Sequence, residues 1–143
     1  MTGDDFIGLA GRLAVGAASG EAAFRSATSR AYYGAYHLAI SLLADLGYAL
    51  PANANGHVFA QRMLTGSGHP AARQAGFLLG DLHTDRIKAD YKLQNSAAGT
   101  QQFARLRVES AIAIQTRLSS YTIEPARSEL MAAIAAYLQK TQR

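Results

Sequence analysis

The run EAAFRSATSRAYYGAYHLAISLLADLG, residues 21–47, decides the fold. Alanine and leucine recur through it with helical rather than alternating spacing, and no proline interrupts it. It predicts one long helix from about Glu21 to Leu46, closed by Gly47, which takes the left-handed conformation that ends helices. On that helix Arg30, Tyr33, Gly34 and His37 share one stripe, and Tyr32 and Tyr36 lie on the next, beside Ser29. Ala31, Ala35 and Ala39 let a neighbouring helix approach closely. The tyrosines read as bracing groups, with rings in the core and hydroxyls paired or wet. His37 reads as an interior or boundary histidine.

Outward from this helix, Gly and Pro punctuate the rest of the chain. A first helix is expected from about Asp4 to Ala17, with Asp4 and Asp5 at its positive end. YALPANANG, residues 48–56, is a loop. A short helix follows from about His57 to Leu64, TGSGHP breaks it, and Pro70 opens a helix running from about Ala71 to Leu93. QNSAAGT, residues 94–100, turns the chain into a helix from Gln101 to about Ser120. Pro125 permits a last one to about Gln139. The expectation is an all-α single domain spanning residues 1–143, an up-and-down bundle of antiparallel helices with short connections. Its core is residues 4–120, with an extra C-terminal helix at about 124–140.

Composition narrows the function classes. The chain has 143 residues and 49% hydrophobic residues, enough for one buried core. It has no cysteine, which removes disulfides and thiolate metal sites and fits a reducing, cytoplasmic setting. Two acids precede the N-terminal apolar run, unlike a secretory signal, and no run has the length of a membrane span. There is no Gly-rich phosphate loop with its lysine and no His-Glu-x-x-His pair. The four histidines are scattered over different elements, so neither a metal nor a cofactor is expected. Net charge is +4, divided as −1 over residues 1–85 and +5 over residues 86–143. A basic second half suits a phosphate-bearing partner, or simply forms a solvated helix surface.

The second polar cluster is DLHTDRIKADYKL, residues 81–93. His83, Arg86 and Asp90 fall on one helix face, and Arg86 and Asp90 are spaced for an ion pair. Tyr91 projects about 100° away from Asp90. Arginine suits phosphate because its planar fork donates two parallel hydrogen bonds, and histidine suits proton transfer because its ordinary pKa lies near neutrality.

Together, TSRAYYGAYH (residues 28–37) and DRIKADYKL (residues 85–93) resemble the two signatures of the HEPN family, in its small stand-alone prokaryotic members. GHVFAQRML, residues 56–64, fits between them, where such relatives often carry a histidine near a short helix. The resemblance covers roughly residues 5–120. It implies a HEPN-like bundle of four to five helices that commonly forms a homodimer. It also implies metal-independent ribonuclease activity in many relatives, which often act as toxins beside a nucleotidyltransferase-type antitoxin. The candidate site has Arg86, Asp90, Tyr91 and His83 as catalytic residues and Arg30, Tyr33 and His37 as substrate-binding residues; of these the resemblance places Arg86, and the others follow from their chemistry. In those relatives a histidine follows the arginine four to six residues on; here Asp90 and Tyr91 occupy that region. Two readings therefore stand: a ribonuclease or RNA-binding toxin, or a non-catalytic helical dimer that binds a nucleotide or a nucleotidyltransferase partner. Tyr91 could also be a tyrosine to which such a partner transfers a nucleotide.

Overall fold

In a computed structural model, residues 1–16 and 20–142 are described. They form six α-helices and no strand: α1 (Gly3–Val15), α2 (Glu21–Asp45), α3 (Gly56–Gly66), α4 (Pro70–Tyr91), α5 (Gln101–Ser119) and α6 (Ala126–Thr141). Short 3-10 turns at Ala97–Gly99 and Ser120–Thr122 flank α5. The chain is therefore all-α as expected, with six helices where the family resemblance implied four to five. The sixth is the C-terminal helix expected after Pro125. Ala17, the expected end of the first helix, lies outside the described residues.

The neighbours are antiparallel, as successive contacts reveal. Along α1 and α2, Gly3 lies against Leu38 and Ile7 against Gly34. Between α3 and α4, Thr65 lies against Gly76 and Gln61 against Gly80. Between α4 and α5, Gln74 meets Arg117 and Asp85 meets Arg107. Helix α2 sits centrally, with α1, α4 and α5 around it, whereas α6 leans on α3 and the second 3-10 turn. The core between them is built from Ala31, Ala35, Ala39, Leu43, Leu79, Leu82 and Ile114, all at 1% exposure or less. The small α2 residues make close packing possible. A Cβ added to Gly34 would stand 2.6 Å from the Ile7 side chain and 2.8 Å from the Gly3 carbonyl oxygen, so only glycine lets α1 cross there.

Local chemistry sets the helix ends. Gly47 takes φ +97°, and the Tyr48 amide donates to the Leu43 carbonyl, closing α2 as its sequence predicts. Asn55 accepts from the Val58 amide and Thr100 from the Phe103 amide, starting α3 and α5. Pro70 occupies the first turn of α4. Near that end, the buried Tyr121 hydroxyl accepts from the Ala72 amide (2.7 Å) and meets His69 Nδ1 (2.7 Å), while His69 Nε2 meets Glu129 of α6 (3.0 Å).

The other end of α4 falls at Tyr91, short of the expected Leu93. The cause is Arg25, a 6% exposed arginine on α2. Its guanidinium donates to the carbonyls of Lys88, Ala89, Lys92, Leu93 and Asn95 and to the Glu21 carboxylate, at 2.7–3.4 Å. A helix leaves its last four carbonyls without partners. Here one buried cation serves two of them, Lys88 and Ala89, together with the Lys92, Leu93 and Asn95 carbonyls of the following turn, as a positive charge at a helix C-terminus should.

Candidate functional site

Above Arg25, the α2–α4 seam continues as a row of polar pairs. One turn along, the Ser29 hydroxyl donates to Asp90 Oδ2 (3.1 Å). Arg86 donates to the same oxygen (3.4 Å). The Arg86 guanidinium then lies over the rings of Tyr32 (5.4 Å), Tyr33 (5.3 Å) and Tyr91 (5.8 Å). Further along, Tyr32 faces His83 at 5.2 Å between centroids. The Tyr32 hydroxyl meets His57 Nδ1 of α3 at 3.2 Å. His57 and His83 stack with centroids 3.7 Å apart and planes 16° from parallel. Three helices thus converge on one half-buried patch.

Its electrostatics follow from this crowding. Burial, then the neighbouring His83 and Arg86, pull the His57 pKa down to about 4, with a Gln61 hydrogen bond pulling the other way. Burial and Arg86 also lower His83. Both rings are therefore neutral near pH 7. Burial pushes the Tyr32 phenol up to about 12 despite Arg86, so it stays protonated. Burial works against the Arg86 cation, but Tyr33 and Asp90 outweigh it and its pKa is raised. The Arg86 Nε is buried with no hydrogen-bond partner among the described residues. Such an orphan donor is uncommon in native structures and calls for an explanation.

The residues singled out in the sequence divide into three groups. Arg86, Asp90, His83 and Tyr33 come together. Tyr91 touches the cluster by its ring but is 72% exposed. Arg30 and His37 lie beside it: Arg30 stands 5.3 Å from Tyr33 and 5.6 Å from Phe6, and His37 stacks on Phe6 at 5.6 Å. His37 is exposed rather than interior, because its stripe on α2 meets only the first turns of α1. The tyrosines brace the bundle as expected in the case of Tyr32, which is 3% exposed.

His57 was not among the site residues expected from sequence, though it stands in the GHVFAQRML segment. A lone histidine at a helix start carries no mark of a partner on another helix. Arg25 left no signal either, since the carbonyls it serves are set by tertiary packing. Part of the basic second half is paired: Asp85 pairs with Arg107 (3.1 Å) and Lys88 (3.5 Å), and Arg127 donates to the Asp45 carbonyl. No group of three or more His, Asp or Glu among the described residues is arranged to hold a metal ion, and no described helix is long and apolar enough to cross a membrane.

No family model matches the chain, and no curated protein or solved structure matches it either.

Proposed function

We propose that the chain is a HEPN-like, RNA-acting protein, the toxin-like member of a toxin–antitoxin or defence pair. In it Arg86 holds a phosphodiester and the His57–His83 pair moves protons, with no metal required. The observation that carries this reading is the stacked neutral imidazole pair beside the Arg86 guanidinium. Cleavage of RNA without a metal needs a base, a cation and an acid. A neutral imidazole takes the proton of the 2′-hydroxyl as its oxygen attacks phosphorus. Arg86 donates to the non-bridging oxygens, where charge accumulates. The bound phosphate favours protonation of the second imidazole, which gives its proton to the 5′-oxygen as the P–O5′ bond breaks. The products are a 2′,3′-cyclic phosphate and a 5′-hydroxyl. Asp90, shared between Ser29 and Arg86, orients the cation. Tyr32 orients His57 through Nδ1. A homodimer and a nucleotidyltransferase-type antitoxin belong to the same proposal on the strength of the motif resemblance.

The test is cleavage of single-stranded RNA by the purified chain in EDTA. Cyclic-phosphate ends are expected for the wild type, with a loss of about 100-fold or more in Arg86→Ala and His83→Ala. Equal rates in wild type and both variants would rule the mechanism out.

A second reading is favoured by the 72% exposure of Tyr91, whose ring lies beside Arg86. An exposed phenol next to a phosphate-binding cation suits an acceptor of nucleotide from a nucleotidyltransferase partner. Mass spectrometry of the co-expressed pair reads this directly; unmodified tyrosine throughout removes it.

A further inference from the structure

Beside the Arg86 cluster lies a second, more open group of rings and cations. Phe6 of α1 and His37 of α2 stack with centroids 5.6 Å apart and planes 17° from parallel. His37 is exposed and Phe6 half-buried. The Arg30 guanidinium lies 5.6 Å from the Phe6 centroid and 5.3 Å from that of Tyr33. Arg86 approaches Tyr33 at the same 5.3 Å, so the two guanidiniums are at most twice that distance apart. Arg30 makes no ion pair among the described residues. The nearby α1 carboxylates are engaged elsewhere, Asp5 by the Thr2 amide and Asp4 by the Gln115 side chain.

The stack leaves His37 exposed, with Tyr36 edge-on to it at 5.2 Å and the unpaired Arg30 cation over its Phe6 partner. A flat ring surface next to a guanidinium suits a nucleobase, whose π-face stacks while the cation takes the adjoining phosphate. A small anion would use Arg30 but not the rings. An apolar peptide would use the rings but leave the cation unpaired. A duplex keeps its bases stacked on one another and offers none.

On the reading of Arg86 as a phosphate contact, we infer that Phe6 and His37 form a base-stacking subsite with Arg30 as its phosphate contact. The ligand is then single-stranded nucleic acid of two or more nucleotides, running from Arg86 past Tyr33 to His37, and not a mononucleotide.

The probes are a short fluorescein-labelled 2′-O-methyl oligoadenylate and an abasic oligomer of equal length, titrated by anisotropy. The wild type should bind the oligoadenylate about tenfold more tightly than the abasic strand. His37→Ala and Phe6→Leu should each remove most of that preference, weakening oligoadenylate binding more than abasic binding. His37 is exposed, so its variant keeps the test open even where Phe6→Leu lowers stability. The chain has no tryptophan, so His37→Trp supplies a single reporter whose emission should be quenched by the oligoadenylate and not by the abasic strand. Equal affinity of the wild type for both strands, with Arg86→Ala weakening both, overturns the subsite and leaves the Arg86 reading standing. Arg86→Ala weakening neither, or no binding to either strand, removes the Arg86 reading and the subsite with it.

Discussion

His57 and His83 lie ring over ring, 3.7 Å between centroids, although one opens α3 and the other sits deep in α4. Beside the arginine, and without a bound anion, both imidazoles are uncharged near pH 7. Each has a pKa lowered by burial first and by neighbouring positive charge second. Tyr32, Gln61 and Arg86 complete the surroundings of His57.

Stability should therefore depend on pH with a definite sign. An unfolded His57 titrates near 6.5 and the folded one near 4. Between those values the unfolded chain binds more protons, so stability rises with pH across that window. It is fully present above about pH 6.5 and is lost as pH falls toward 4. After allowance for the ring's partial exposure the loss is about 1–2 kcal/mol from His57. Urea denaturation of wild type and His57→Asn at pH 7.5 and 4.5 checks this. The variant should lose less stability on acidification; an equal loss in both would show that the pair is not the titrating element.

Arg25 should be the most sensitive polar position in the α2–α4 seam. Arg25→Met strips six hydrogen bonds from one buried guanidinium. It leaves the Ala89, Leu93 and Asn95 carbonyls without this donor. The expected cost is about 2–4 kcal/mol in denaturant unfolding. Arg25→Lys should recover only part of it, because an ammonium cannot span the same fork. Amide exchange over residues 88–95 should accelerate in both. Protection there equal to wild type would mean that the turn is held by other groups.

Gly34→Ala tests the helix crossing that brings Phe6 to His37. The new methyl would sit 2.6 Å from Ile7 and 2.8 Å from the Gly3 carbonyl oxygen. Helix α1 must then shift away from α2, at about 1–3 kcal/mol. Thermal unfolding should show a clear drop in Tm, whereas Gly11→Ala, where an added Cβ meets nothing within 4 Å, should not.

Much of the fold was legible because this chain marks its helix ends with local chemistry. Gly47 and Pro70 each act within a turn of themselves, so their effect can be read without knowing the neighbours. Helical spacing likewise put His83, Arg86 and Asp90 on one face. What depended on tertiary approach was not legible. The end of α4 is fixed by Arg25, which belongs to another helix. His57 joins the site only because α3 lies antiparallel to α4. His37 reads as interior or boundary from its tyrosine neighbours, yet beside Phe6 in the first turns of α1 it stays exposed.

The central claim is that Arg86 is the cation that receives RNA phosphate. It is tested most directly by the affinity of an uncleavable 2′-O-methyl single-stranded RNA for wild type and Arg86→Ala, measured across a salt series. The account predicts a loss of about tenfold in the variant and a salt-dependence slope smaller by about one phosphate contact. Identical affinity and identical slope in a folded variant would contradict it.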